Sequence, residues 1–492
     1  MLLLGIDIGT SFIKVSVTDA GTQQCIASAR YPETESKIIS LYPGWAEQSP
    51  EIWWEHVQLA ILKLHAQHIY NPRDIAAIGV AYQMHGLVMV DKEQKVLRNS
   101  IIWCDSRAVE TGNKAFEEIG KEKCLLRLLN SPGNFTASKL AWVKQNEPDI
   151  FIKADKVMLP GDFIAMKLTG HITTSISALS EGIFWDFQTN ELSEDVFEYY
   201  GLPASVIPEI KDVFADHGKV RADVAASLSL KEGTPVTYKA GDQPNNALSL
   251  NVLRPGEVAA TAGTSGVIYG VSDQLTYDNE SRVNTFAHVN YTSEQRRLGV
   301  LLCINGTGIL NHWIKNIAGE GIDYTGLNEA AKKIAPGSDG LMIFPFGNGA
   351  ERMLKNKTVQ AHIENIDLNV HSKAHLFRAA QEGIAFAFRY GLDIMRENGM
   401  HLKIIRAGKA NMFLSEVFTR CFVDTLDVPV ELYNCDGSIG AATGAGLGAK
   451  IYSCPQEAFE HFKPIQLIAP DNKELYNECY NRWMAQLQKK LN

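Results

Sequence analysis

The tripeptide Gly-Thr-Ser occurs twice in this chain, each time between two short runs of strand character. The first copy stands in Gly5-Ile6-Asp7-Ile8-Gly9-Thr10-Ser11 and runs into Phe12-Ile13-Lys14-Val15. The second stands in Ala260-Thr261-Ala262-Gly263-Thr264-Ser265 and runs into Gly266-Val267-Ile268-Tyr269. Thr10 and Thr264 are 254 residues apart, and so are Asp19 and Asp273, the aspartates to which the two second strands lead. A strand–turn–strand unit repeated at half the chain length predicts two related halves rather than one continuous domain. A turn of Gly, Thr and Ser presents backbone N–H groups and hydroxyls, which suit an anionic phosphate oxygen. Two such hairpins facing each other would grip the phosphates of a nucleotide from both sides, and that is the architecture of a phosphotransferase.

Length agrees with a division in two, because 492 residues exceed what one core supports. The nearest candidate for a junction lies around residues 248–255, which gives domains at 1–248 and 249–492. A net charge of −9 argues against a nucleic-acid partner, whose footprint is an excess of Lys and Arg. No apolar run approaches the roughly 20 residues of a membrane helix, so no membrane partner is expected. The eight cysteines show neither CxxC nor zinc-ligand spacing and read as reduced thiols. The first residues meet Asp7 with no basic segment before it, which leads to the expectation of a cytoplasmic protein.

Residues 2–8, 12–17 and 25–30 read as an antiparallel meander. Ser49-Pro50-Glu51 then opens a helix whose face is Trp53, Val57, Ala60 and Leu64. A strand at 75–81 ends at Gln83-Met84-His85-Gly86. Further strands are expected at 87–90 and 100–103, and helices at 137–145 and 161–168. In the second half the hairpin at 257–271 is followed by a strand at 299–303 and a helix from Gly308. A long helix at 372–397 carries the stripe Phe377, Ala380, Ile384, Phe388, Leu392 and Met395, and stops at Asn398-Gly399. A strand at 404–407, a helix from Asn411, a strand at 429–432 and a glycine-rich helix from Ile439 complete an α/β alternation.

Asp7 sits where the first strand meets its turn. A carboxylate there suits Mg²⁺, which takes oxygen ligands and keeps part of its water shell; capping of its own turn is the plainer alternative. Asp242 follows a strand (236–240) and Gly241, and precedes Gln243-Pro244-Asn245-Asn246-Ala247, the start of a helix. A kinase needs such a group to orient the attacking hydroxyl and take its proton. A simple helix N-cap is the commoner fate of Asp at that place. His85 lies at a strand end, where ligands bind in α/β sheets. With Trp103 and Asp105 it offers hydrogen-bonding groups beside an aromatic face, which suits a sugar. Gly440, Gly444 and Gly448 recur every four residues and read as a tight helix-packing face. No Walker A motif occurs.

Together these residues resemble the FGGY family of carbohydrate kinases, within the actin, hexokinase and Hsp70-like ATPase class, over nearly the whole chain. The resemblance implies an α/β fold of two ribonuclease H-like domains flanking a central cleft, with sugar on the first and ATP on the second. It implies that Gly9, Thr10, Ser11 and Lys14, then Gly263, Thr264 and Ser265, hold the phosphates, and that Gly408 and Asn411 contact the adenosine. Asp242 would be the catalytic base, Mg²⁺ would sit near Asp7, and Met84, His85, Trp103, Asp105 and Asp242 would bind the sugar. Gln83-Met84-His85-Gly86 and Pro43-Gly44-Trp45-Ala46-Glu47-Gln48 are most similar to the xylulokinase branch, which implies ATP-dependent conversion of D-xylulose to D-xylulose 5-phosphate. A sibling kinase for ribulose, gluconate or a similar compound, and a non-catalytic actin-like ATPase or sugar sensor, remain the alternatives. A homodimer is implied by analogy only. The chain departs from the family pattern at Phe12, Ser175, Gln243 and Lys409, and its Gly347-Asn348-Gly349-Ala350-Glu351-Arg352 segment is longer than the usual Gly-Glu-Arg.

Overall fold

In the computed structural model, which describes residues 1–492, each Gly-Thr-Ser turn joins the first two strands of a mixed sheet. The first sheet takes β1 (Leu2–Ile8), β2 (Ile13–Asp19), β3 (Cys25–Tyr31), β4 (Ile75–Tyr82) and β5 (Val236–Gly241) in the order β5-β4-β1-β2-β3. β1 runs antiparallel to β2 and parallel to β4, and β5 joins β4 in parallel. Its helices include α1 (Pro50–His65), α2 (Thr136–Asn146), α3 (Pro160–Thr169), α4 (Ile176–Glu181) and α5 (Asp242–Ser249).

The second sheet repeats the plan with β6 (Glu257–Ala262), β7 (Gly266–Ser272), β8 (Asn284–Ala287), β9 (Leu298–Ile304), β10 (Ile404–Gly408), β11 (Val430–Tyr433) and β12 (Gln466–Ile468). Its order is β8-β9-β7-β6-β10-β11-β12, so β6, β7, β9, β10 and β11 stand where β1, β2, β3, β4 and β5 stand in the first. Its helices include α6 (Gly308–Ala318), α7 (Lys373–Glu397), α8 (Glu416–Leu426) and α9 (Gly437–Gly448).

Period-two alternation in β1 explains how the first sheet is covered on both faces. Leu2, Leu4, Ile6 and Ile8 point to α1, where Trp53, Val57, Ala60 and Leu64 are all buried. Each buried Leu, Ile or Val among them contributes about 1.5–3 kcal/mol on leaving water. Leu3, on the other face, meets Ala441, Ala442 and Ala445 of α9, a helix from the far half of the chain. That approach depends on glycine: a Cβ on Gly5 would lie 1.8 Å from the Ser438 carbonyl oxygen, and one on Gly79 2.0 Å from that of Ala441. Gly440, Gly444 and Gly448 likewise face Ser249, the Tyr238 ring and the Thr237 carbonyl. In return Ala247 of α5 packs with Ala259, Val267 and Tyr269 of the second sheet. The two halves therefore exchange helices, and α5 crosses α9 where they do so.

The long helix and its buried stripe follow the sequence expectation. Two local expectations do not. The strand at Ser100 ends at Ile101, leaving Trp103 in a turn. Asn411–Leu414 is one 3₁₀ turn, and the helix proper begins at Glu416, capped by the Ser415 hydroxyl accepting from the Phe418 amide. No helix is long and apolar enough to cross a membrane.

Candidate active site

The crossing of α5 and α9 brings three carboxylates together. Asp242 is the first residue of α5, and Asp436 caps α9 by accepting from the Ser438 amide at 2.8 Å. Asp7, near the end of β1, lies against the start of α9: a Cβ on Gly437 would sit 2.6 Å from its Oδ2. Helix N-termini favour ionised acids, but burial works against Asp7 and Asp242 here. Burial pushes the Asp7 carboxyl up to about 6, opposed by Lys14 and aided by Asp436. Burial pushes Asp242 up to about 7, aided by the charge of Asp7 and opposed by hydrogen bonds from Gln243. Lys14, opposite Asp7 in the β1–β2 register, reaches Asp436 at 3.6 Å. A hard, under-compensated oxygen donor such as Asp7 fits Mg²⁺ held partly through water.

The two turns flank these acids. In the first, the Gly9 amide bonds the Phe12 carbonyl at 3.0 Å, while the amides of Thr10 and Ser11 donate to no protein acceptor. The Thr10 hydroxyl donates to Gln83 Oε1 (3.1 Å) and accepts from Trp103 Nε1 (2.9 Å). Gln48 Nε2 donates to the Thr10 carbonyl (2.8 Å), and Gln83 Nε2 and Trp53 Nε1 both donate to Gln48 Oε1. With the Thr10 hydroxyl proton committed to Gln83, phosphate contact falls to the free amides. The second turn is braced by backbone: Gly308 and Ile309 at the start of α6 donate to the carbonyls of Gly263 (2.8 Å) and Thr264 (3.1 Å). The amides of Thr264 and Ser265 are again unpaired.

His85, just beyond β4, has φ +62, a left-handed conformation that costs a non-glycine residue energy and persists only when held. Glu181 at the end of α4 holds it. The His85 amide donates to Glu181 Oε1 at 3.0 Å, and ring Nδ1 lies 3.1 Å from the Glu181 carbonyl. A carbonyl only accepts, so Nδ1 carries the proton and Nε2 is left as an acceptor. Burial, with Lys139 adding, lowers the ring pKa to about 3, which keeps it neutral. The ring packs against Phe135 (4.8 Å) and against Phe286 of β8 in the other half (5.5 Å). The Lys139 ammonium, lowered by burial to about 7, donates to the carbonyls of His85 (2.8 Å) and Ile102 (3.0 Å). A Cβ on Gly241 would meet both Met84 Cγ and Glu181 Oε2 at 2.7 Å, so these two flank Asp242. Burial holds the Glu181 carboxyl well above the usual range.

Asp105 corrects the sequence expectation of a sugar ligand. It is 1% exposed, and its oxygens are taken by the Ala46 amide (2.6 Å) and by Arg107, whose Nη2 approaches to 2.6 Å. Arg107 continues to Glu47 (2.7 Å) and stacks 3.7 Å from the Trp45 ring centroid. The Asp105 carboxylate thus fastens the 44–48 segment and has nothing left for a substrate. Trp103, 54% exposed, remains at the rim beside Thr10.

On the other side of the second turn a cavity of about 460 Å³ is lined by Gly263, Thr264, Asn411 and Met412, together with Ile309, Asn311, His312, Tyr324 and Asn328 among others. Apolar walls with a few amides suit a nucleoside. Asn311 Oδ1 is buried there without a partner. Gly408 does not line this cavity; it ends β10, where a Cβ would meet Cys435 Sγ at 3.6 Å.

Sequence reasoning missed Glu181, Phe135, Phe286 and the 308–328 wall. The one available signal for Glu181 is that it is the sole charged residue between positions 172 and 185.

Residues 2–249 match the family model for the FGGY family of carbohydrate kinases, N-terminal domain, and residues 258–449 match that for the C-terminal domain. A xylulose kinase of Bacillus subtilis is 28% identical over 465 residues, covering 94% of this chain and 91% of the relative. The xylulose kinase structure from Rhodospirillum rubrum is similar with a TM-score of 0.87 at 25% identity, covering 99% of each chain. A gluconate kinase structure from Lactobacillus acidophilus gives a TM-score of 0.88 at 20% identity, over 100% of this chain and 98% of its own. The fold is therefore shared by kinases of different sugars and does not by itself select one.

Proposed function

Because the chain belongs to the FGGY family of carbohydrate kinases, and so is a sugar phosphotransferase, we propose that its substrate is a ketose, D-xylulose, which it converts to D-xylulose 5-phosphate. Membership of a kinase family removes the non-catalytic actin-like reading and implies ATP as the phosphoryl donor. The observation that carries the proposal is the neutral His85, with its acceptor nitrogen free, beside Met84 and a carboxyl at Asp242 poised near neutral pH. The curated xylulose kinases at 26–28% identity support the choice of sugar.

In this reading a sugar hydroxyl donates to His85 Nε2, and the hydroxyl to be phosphorylated faces Asp242. Asp242 accepts its proton as the new oxygen–phosphorus bond forms and the bond between the γ-phosphorus and the ADP oxygen breaks. A base with a value of about 7 is matched to that task, being ionised at working pH yet still basic. The unpaired amides of Thr10, Ser11, Thr264 and Ser265 receive the phosphate oxygens, and Lys14 adds positive charge. Asp7 would hold a water-shelled Mg²⁺, which supplies charge neutralisation at the phosphates. Closure of the two halves over the sugar excludes water and suppresses hydrolysis of ATP.

A coupled assay of ADP release over D-xylulose, D-ribulose, D-gluconate and glycerol tests the reading. D-Xylulose is expected to give the highest kcat/KM by at least about tenfold, the net worth of about one hydrogen bond. A higher value for any of the others would overturn the substrate assignment.

A further inference from the structure

The segment Gly347–Arg352 is a motif that the reading above leaves without a task. It hangs beyond the end of β9 and is fixed there by Glu351, a fully buried acid whose two carboxyl oxygens accept from the Asn305 amide at 3.0 and 3.1 Å. Met353 and Leu354 anchor it from below, each at most 2% exposed. Arg352 is thus carried on a braced turn rather than on a free loop.

Its guanidinium makes no ion pair and no hydrogen bond with any protein group. It lies over the Phe135 ring at 5.9 Å, facing the aromatic wall of His85 across the cleft from the opposite half. Burial lowers its pKa, yet an arginine keeps its proton under all ordinary conditions. A partly desolvated cation that cannot neutralise itself needs an anionic partner. Every other arginine or lysine buried near the sugar side has one or is spent on carbonyls: Arg107 and Arg98 bind Glu47, and Lys139 binds two backbone oxygens.

The position of that partner follows from Cys303. Its register partner is Val267, the residue after Gly266 at the second turn. The Arg352–Leu354 turn packs against β9, and the guanidinium faces the Phe135 and His85 rings, beyond which Met84 and Glu181 flank Asp242. Arg352, Asp242 and the second Gly-Thr-Ser turn therefore border one cleft, where the proposed sugar hydroxyl and terminal phosphate would meet. We propose that Arg352 is a catalytic residue of this kinase that binds oxygens of the phosphoryl group while it passes from nucleotide to sugar, and then of the phosphate ester formed. The proposal rests on the active-site reading above. A planar guanidinium donates two parallel hydrogen bonds to such an oxyanion, and the charge spread over the equatorial oxygens in flight is what it would stabilise.

A carboxylate on a sugar acid has the same chemistry, and the test separates the two sources. Steady-state kinetics of wild type, Arg352→Gln and Arg352→Lys are measured with D-xylulose and with D-gluconate, together with product inhibition by the sugar phosphate and the melting temperature of each variant. Arg352→Gln is expected to lose about 10²–10³-fold in kcat, the range for removing one preorganised donor, with the sugar KM within about threefold. Its inhibition by the sugar phosphate should weaken by about tenfold or more, and Arg352→Lys should recover part of both losses. Wild-type kcat and product inhibition in Arg352→Gln would overturn the proposal. A loss confined to the KM for D-gluconate would overturn it in favour of a carboxylate. Wild type inactive on every sugar would instead sink the active-site reading itself.

Discussion

Asp242 combines a conflict with a use. Its helix start and the role of base proposed for it call for a charge, whereas burial and Asp7 oppose one and push its carboxyl up to about 7 from 3.8. The folded chain thus keeps a proton that the unfolded chain has released over this window. The resulting stability is full below about pH 4, is lost as pH rises to 7, and stays lost above it. Asp242→Asn is therefore expected to lower kcat by about 10³-fold or more and yet to melt at a higher temperature than wild type at pH 8. The two melting points should converge near pH 4; a lower melting temperature for the variant at pH 8 would contradict the strained charge. For wild type, kcat/KM should fall as pH drops through about 7, and an acid limb near 4 would point to an unperturbed base. Glu181 acts at one remove, by holding His85 at φ +62. Glu181→Ala should raise the sugar KM by about tenfold, the worth of a lost buried hydrogen bond, and leave the KM for ATP alone. Glu181→Gln keeps the acceptor for the His85 amide and should stay within about threefold. Equal sugar KM values for the two variants would remove the positioning role.

At the level of elements, the exchange of helices makes each half depend on the other. Gly5 and Gly79 let α9 lie directly on β1 and β4, with carbonyl oxygens where side chains would stand. Gly79→Ala should lower stability by about 3 kcal/mol or more, at the upper end of overpacking costs, read as a fall in urea midpoint at constant slope. A variant within 0.5 kcal/mol of wild type, as exposed positions typically give, would mean that α9 sits elsewhere. The repeated hairpins, α1, α7 and the glycine-rich α9 were legible in the sequence, because their signals are local: turn residues, period-two and period-3.6 faces, and glycine spacing. Gly440, Gly444 and Gly448 announced tight packing without naming the surface, since nothing local says that α9 crosses to the first sheet. The same limit explains the site. Asp7, Asp242 and the two turns advertise themselves by position in strand–turn units. Glu181 and Arg352 acquire their neighbours only through contacts about 100 and 220 residues away in sequence. Asp105 misled because its partner, Arg107, stands two residues on and turns the carboxylate inward.

Across the whole molecule, duplication supplies the mechanism. One sheet ends in an amide-bearing turn beside Asp7, the other in its twin beside a nucleoside-sized cavity, and the crossed helices place Asp242 between them. Residues from both halves meet at His85, where Phe286 and Phe135 share its ring, so sugar bound there as proposed would couple to approach of the halves. Addition of the sugar to the nucleotide-bound protein should reduce the radius of gyration measured in solution, and no change would argue against closure. The most direct test is a crystal structure with D-xylulose and a non-hydrolysable ATP analogue. The account predicts phosphate oxygens at hydrogen-bonding distance, about 3 Å, from the amides of Thr10 or Ser11 on one side and Thr264 or Ser265 on the other, with a sugar hydroxyl as close to the Asp242 carboxylate. Phosphates lying away from both turns, or a sugar bound out of reach of Asp242, would contradict it.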